Sequence, residues 1–589
     1  MKGMERTIED RQARRLFLLL AAGEILLLVM ILLFANIKYE VSDDFIMEMV
    51  ASGAYTGQPD SHIMFSNILL GWLLTLFYRV VPSVSWYFWG QMILCLCSYL
   101  AITYALTHSL RPAGAVFAVL VFTAFTARDL YILPQFTKTA VAASMGGLVL
   151  LIWSVFHQKR CLSSFLGGVL ALAGSLVRRN GFLLAAAFAG VLVIYESIRV
   201  LRKGKWSVKD ICIRAWLSGA LLIAAVFALG AWNNYCYTSN SDYSYYRAFS
   251  KTRSQILDYT WLDYEDCRSD FEAIGLSEND YNMILGWDFA DPEVFSLEKM
   301  DQVLDIIESH RVDQHPTLLE ALYMIKARQL YYPITSCCIL LGLFCVVVNW
   351  KRLWVPAVAA VMALSFLIYF YWIGRWVYRV EFGILYCAAV LIACFCQPVM
   401  GKRALELAAC TAAVVIAGMQ VPGYLPDQTW RVLDTEAYRT LVDNTYYYSW
   451  NYNPAKYTTV VSPGKLRPDF LQTLREHPDD FYVLDFNTAI QTLYYDFSVF
   501  ESSRSCFPRN AVFLAGVTEY HPSVQNYLSA LGYDDLMEAL LEDNVYFVSN
   551  GSEGLIMQFY QEHYEKNVQL ISCGEIDGYQ IWKYSLQND

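Results

Sequence analysis

Two adjacent carboxylates, Asp43 and Asp44, follow the first long apolar run of this 589-residue chain by only a few residues. The segment after them, FIMEMVASGAY, reads as a short helix stopped by Gly53. A carboxylate held where an apolar wall meets water can take a proton from an incoming hydroxyl, and partial desolvation raises its basicity. The plainer alternative is capping, since Ser42 and Asp43 are both good N-cap residues and acids favour a helix N-terminus. Six basic residues, Arg128, Lys138, Arg178, Arg179, Arg375 and Arg379, stand at the ends of other apolar runs. A guanidinium can grip phosphate oxygens in bidentate fashion, so a phosphate held by such groups can depart as an anion without a protonating acid. Lys138 suits a phosphate as well. Snorkelling to lipid headgroups explains isolated basic residues but not a convergent group. His62, in the loop after the first run, joins the candidate substrate contacts.

The chain is 56% hydrophobic and runs of about 20 apolar residues recur, the length a bilayer requires. The composition is that of a multi-pass α-helical membrane protein. About eleven transmembrane helices are expected, at 16–37, 86–107, 112–127, 139–156, 161–177, 181–198, 211–232, 331–349, 353–373, 380–397 and 404–420. The stretch 64–81 is a twelfth apolar segment. If it crossed, the basic segments 157–160 and 202–214 would change sides, so it is expected to lie on the membrane as an amphipathic or re-entrant helix. With Arg11, Arg14 and Arg15 in the cytoplasm, Lys159–Arg160, Arg202–Lys203–Lys205, Lys351–Arg352 and Lys402–Arg403 fall on that side too. The six basic residues named above then gather on the outside. Charges at a membrane boundary mark substrate paths, and outward cations favour an anionic ligand such as a lipid-linked phosphate.

The order of span, acidic pair, short helix ending in Ser-Gly, juxtamembrane apolar helix, two spans and a second outer loop resembles the GT-C superfamily of membrane glycosyltransferases, of the aminoarabinose- and mannosyl-transferase type. The resemblance covers residues 10–235, and the acidic pair with MVASGAY is its most local feature. It implies transfer of a sugar from a polyprenyl-phosphate donor to a cell-surface lipid, polysaccharide or protein on the extracytoplasmic side, with inversion. By position the general base is Asp43, with Asp44 orienting the acceptor or sharing the charge. Many relatives carry an acid just before the fourth span, where this chain has Lys138; Asp129 could substitute only if its loop folds back. A metal site needs convergent oxygen ligands, which this loop does not offer, so neither a metal nor another cofactor is expected.

Four regions follow: a GT-C-like catalytic module at 1–233 with outer loops 38–85 and 128–138, a helical extracytoplasmic insertion at 234–329, further transmembrane helices at 330–420, and an extracytoplasmic α/β domain at 421–589. The tyrosines and tryptophan of YTSNSDYSYYRAFSKTRSQILDYTWLDYED can stack sugars or pack a core. Asp242, Arg247 and Arg253 are its notable polar members. The C-terminal region changes to strand period in DFYVLDFN, NAVFLAG, NVYFVSN and VQLISCGEIDGYQIWKYS. It carries no nucleophile elbow, zinc spacing or triad order. Most of the 15 cysteines sit in apolar spans as small packing residues. The net charge of −11 excludes nucleic acid as a partner; membrane lipids follow from the apolar spans, and a polyprenyl-linked sugar is the partner that the resemblance implies. Two other functions fit the composition: a transporter or flippase for a charged lipid or sugar, and a non-catalytic envelope-assembly protein.

Overall fold

The computed structural model describes residues 2–587 apart from 36, 158–160, 260, 312–314, 331, 376, 398–402, 422–467, 496, 515 and 550. The expectations for Lys159, Arg160, Lys402 and the first part of the C-terminal region lie outside the described residues. In chain order the helices before that region are α1 (Lys2–Phe34), α2 (Ser42–Ser52), α3 (Ile68–Val80), α4 (Trp86–Ser109), α5 (Pro112–Ala127), α6 (Phe136–His157), α7 (Cys161–Val177), α8 (Arg179–Arg202), α9 (Val208–Ile211) and α10 (Leu217–Thr238). Then come α11 (Ser241–Leu257), α12 (Tyr264–Ala273), α13 (Glu278–Leu285), α14 (Leu297–Arg311), α15 (Leu318–Gln329), α16 (Pro333–Val348), α17 (Trp354–Trp372), α18 (Tyr378–Ala393) and α19 (Arg403–Gln420).

Every apolar run is helical, yet the count of eleven crossings needs correction. Among the described residues seven helices are long and apolar enough to cross a membrane, or eight if α15 and α16 form one bent span. Four of the expected spans, α7, α16, α18 and α19, hold 17, 16, 16 and 18 residues. At 1.5 Å per residue they reach about 24–27 Å, short of a hydrocarbon core of about 30 Å. Burial explains part of the difference: nearly all of α18 is covered by other helices, so its length need not match a bilayer. The 13-residue α3 is shorter still and keeps Trp72, Leu73, Leu76 and Phe77 exposed, as a helix lying at the membrane surface would.

Small residues bring the central helices together. A Cβ on Gly147 of α6 would lie 2.4 Å from the Ala171 nitrogen and 2.6 Å from the Gly167 oxygen of α7, so backbone meets backbone there. Helix α5 continues into a π-helical turn, Arg128–Ile132, a distortion that often marks functional places. Ser109, His157, Arg199, Arg352 and Gln397 line one small cavity, which gathers the ends of α4, α6 and α8 with the loops at 352 and 397 at one end of the bundle. The loop 38–85, the π-turn, the α7–α8 turn and residues 374–379 lie at the other end.

The C-terminal region packs on that second end. Strands β1 (Phe481–Leu484), β2 (Ala511–Phe513), β3 (Val545–Val548), β4 (Val568–Ile576) and β5 (Tyr579–Leu586) form a sheet in the order β2-β1-β3-β5-β4. β1 pairs in parallel with β2 and β3, and the β4–β5 hairpin is antiparallel. The hairpin turns on Asp577 and Gly578, both at positive φ (52° and 85°), the Asp-Gly chemistry of a tight turn. This unit grips α2: Glu48 accepts the Ser503 N–H at 3.1 Å and the Ser503 hydroxyl, while Tyr78 donates to its other oxygen at 2.9 Å. Lys38 donates to the Phe497 carbonyl. Helices α11–α15 join the sheet unit to the bundle, with buried Arg253 donating to the Gly516 carbonyl at 2.8 Å and Tyr246 to Val517 at 2.9 Å. The aromatic run in α11 is therefore largely core: Tyr246 lies edge-on to His521 at 4.8 Å, and Phe249 to Tyr520 at 4.6 Å.

Candidate active site

Asp43 occupies the first turn of α2, but it does not cap that helix. The N-cap is Val41, in extended conformation and without a side-chain cap bond. Gly53 ends α2 in the left-handed conformation (φ 77°), where a Cβ would stand 2.3 Å from the Gln58 carbonyl carbon, so the stop has the expected residue and a steric reason. The Asp43 carboxylate is half-buried and makes no hydrogen bond or ion pair among the described residues. Burial raises its pKa from the ordinary aspartate value. The guanidinium of Arg379 opposes that shift most, Arg178 and Arg253 act in the same sense, and Asp258 adds to the rise.

The two acids divide. Asp44 is fully buried and its Oδ1 accepts from the Tyr87 hydroxyl (3.0 Å), Gln91 Nε2 (2.9 Å) and the Phe136 N–H (3.0 Å). It ties α2 to α4 and to the start of α6, and burial pushes its pKa up to about 8. Asp44 thereby braces α2, and the carboxylate of its neighbour is the one left without a hydrogen bond among the described residues.

The arginines converge in part. Arg178, in extended conformation just before α8, donates to Thr137 Oγ1 at 2.5 Å and lies over the rings of Phe136 (5.0 Å) and Phe65 (5.8 Å). Those rings stack at 5.6 Å, and Phe65 holds a positive φ of 63°, a strained backbone beside the site. Arg178 feels Arg379 and Arg375 as like charges and Asp43 and Asp258 as opposite ones; burial and the two arginines depress its pKa to about 9. Arg375 pairs with Asp258, at the end of α11, at 3.0 Å. Arg379 is half-buried in the first turn of α18. One aspartate and three guanidinium groups from the bundle thus share a neighbourhood with Arg253 and Asp258 of the insertion, which sequence reasoning either kept at the margin or missed. Arg179 departs from this group. Its side chain turns to Gly230, where a Cβ would stand 3.1 Å from Arg179 Nη1.

Lys138 requires a correction. Its ammonium is completely buried, 2.6 Å from Glu40 and 3.1 Å from Asp129, so it serves two carboxylates rather than waiting for a phosphate. The loop does fold back, as Asp129 needs, through the π-turn that Arg128 opens. Glu40 was missed because a lone acid between a span and an acidic pair carries no distinctive spacing. The fit to a metal is poor here, since the lysine stands where two carboxylates converge. His62 is also engaged: its Nδ1 lies 2.9 Å from Asp60 and its ring stacks on Tyr243 at 3.6 Å. Among the described residues one other group could hold a cation, Asp280, Glu562 and His563, at the contact between α13 and the helix Glu553–His563.

No family model and no curated protein matches the chain. Among solved structures it is similar to ArnT from Cupriavidus metallidurans bound to undecaprenyl phosphate, at 10% identity and a TM-score of 0.35, over 96% of this chain and 97% of that one. The apo form of that protein aligns at 11% identity and a TM-score of 0.33, over 96% and 98%. An Archaeoglobus fulgidus oligosaccharyltransferase tethered with an acceptor peptide aligns at 10% identity and a TM-score of 0.33, over 97% of this chain and 74% of that one.

Proposed function

We propose that this chain is a membrane glycosyltransferase of the GT-C type, the class its sequence resembles, which uses a polyprenyl-phosphate sugar as donor. The observation that carries the reading is Asp43: a half-buried carboxylate with no hydrogen bond or ion pair among the described residues, in the field of Arg178 and Arg379 at one end of an apolar bundle. An acceptor hydroxyl gives its proton to Asp43, and its oxygen bonds to the anomeric carbon. The bond from that carbon to the phosphate oxygen breaks, and the polyprenyl phosphate leaves with the electron pair. Arg178 and Arg379 stabilise the charge on the leaving group, with Arg375 beside them in its pair with Asp258. Attack opposite the leaving group inverts the anomeric centre.

The site faces the extracytoplasmic side in this reading, because Arg11, Arg14, Arg15, Arg202, Lys203, Lys205, Lys351 and Arg352 stand toward the opposite end. General-base assistance is worth roughly 10²–10⁴-fold, so positioning and charge stabilisation supply the rest of the acceleration. The test is incubation of the purified full chain with a panel of polyprenyl-phosphate sugars and cell-envelope extract, with and without a chelator. One donor should yield free polyprenyl phosphate and a glycosylated product. Failure of every donor, with the protein folded, would remove the proposal.

A further inference from the structure

A second cavity, of about 360 Å³, opens between the α7–α8 turn, the end of α10 and α11. That volume is ligand-sized. Its wall carries Arg178, Arg179, Arg247 and Lys251 with amides and hydroxyls, and none of its lining residues is acidic. In a chain of net charge −11 this is a marked local reversal.

Arg179, Arg247 and Lys251 make no ion pair among the described residues, whereas Arg375, Arg268 and Lys138 all do. Arg247 lies over the Tyr237 ring at 5.3 Å, and its Nη1 is shut off from solvent without a hydrogen-bond acceptor among the described residues. A shielded guanidinium nitrogen without an acceptor is costly unless a ligand supplies one. Gly230 leaves room for Arg179 in the same wall, as a Cβ there would press on Nη1 at 3.1 Å. The adjacent arginines thus have different tasks. Arg178 also belongs to the Asp43 group, so it forms the partition between the two places, while Arg179 serves only the second.

We infer that this cavity seats a phosphate group carried by the acceptor, so that the acceptor is a phosphate-bearing glycolipid or polymer whose hydroxyl reaches Asp43 across Arg178. The inference rests on the glycosyltransferase reading for the identity of the hydroxyl, and on the cavity alone for the anion. The phosphate serves recognition and takes no part in bond making.

The test uses the full chain in detergent micelles and two probes, a short-chain polyprenyl phosphate and glycerol 3-phosphate, followed by calorimetry. Glycerol 3-phosphate should still bind when the polyprenyl phosphate is saturating. In the Arg247→Gln/Lys251→Gln variant its affinity should fall tenfold or more, with polyprenyl phosphate affinity unchanged within twofold. Lys251→Gln alone, at an exposed position, should give a smaller loss in a protein that folds normally. Weakened polyprenyl phosphate binding in the double variant, or competition between the two probes, would assign the cavity to the donor and overturn the inference. Equal affinity for glycerol 3-phosphate in wild type and variant would overturn it too. If the wild type binds glycerol 3-phosphate but no polyprenyl phosphate, the donor reading fails while the anion site stands.

Discussion

Replacing Lys138 by Met should cost this protein stability rather than substrate affinity. The ammonium lies 2.6 Å from Glu40 and 3.1 Å from Asp129, and neither it nor the Glu40 side chain has measurable exposure. Methionine keeps most of the aliphatic stem and removes the charge, which leaves two carboxylates facing one another away from water. Breaking a buried ion pair by removing one partner costs about 3–5 kcal/mol. Lys138 contacts both acids, so the upper part of that range applies, about 4–5 kcal/mol or some three decades in the folding equilibrium. The assay is denaturant unfolding of the full chain in mixed micelles, with polyprenyl phosphate binding measured in parallel under native conditions. A Glu40→Gln/Asp129→Asn/Lys138→Met variant strands no charge and should recover most of the loss. If Lys138→Met unfolds within 1 kcal/mol of wild type (about a factor of 5 in the equilibrium) while binding polyprenyl phosphate tenfold more weakly, Lys138 is a phosphate ligand and the triad account is wrong.

Other outcomes follow from the same geometry. Sugar transfer requires ionised Asp43, so kcat/KM should rise with pH through an apparent pKa above the ordinary aspartate value of about 3.9. A pH–rate profile that is flat above pH 4 would speak against a raised value. Asp44 binds its proton more tightly folded than unfolded, with a folded value of about 8, so its contribution to stability is present at low pH and is lost as pH rises through 8. Asp44→Asn should therefore flatten the fall in unfolding free energy between pH 4 and 8, as read by denaturant titration. Gly71→Ala would place a Cβ 1.9 Å from the Ser61 carbonyl oxygen, backbone against backbone, and should cost about 1–3 kcal/mol in unfolding experiments. A neutral result there would mean that α3 can slide away from loop 38–85.

Much of the architecture could be read from hydropathy and turn chemistry. The apolar runs became helices, Gly53 stopped α2, and the strand-period segments at the C-terminus formed the sheet. The crossings were overcounted because hydropathy reports burial from water without saying whether lipid or protein provides it, and α18 is enclosed by protein. Within the proposed site, Asp43 and the arginines at 178 and 379 could be singled out because charges at the ends of apolar runs are conspicuous. The fate of Lys138 was not visible. Its partners at 40 and 129 come from other loops, and only the π-turn after α5 brings Asp129 within reach. The contributions of Asp258 and Lys251 were hidden for a related reason, and Arg247, though singled out as a polar member of α11, had no assigned neighbour: helical periodicity places all three on α11 and at its end but does not tell which membrane-end groups that helix meets.

The central claim is that Asp43 removes the acceptor proton, and Asp43→Asn, which keeps shape and loses basicity, tests it most directly. With the cognate donor, kcat should fall roughly 10²–10⁴-fold, while polyprenyl phosphate binds within threefold of wild type and the melting temperature is not lowered. Transfer at more than a tenth of the wild-type rate by that folded, donor-binding variant would contradict the account.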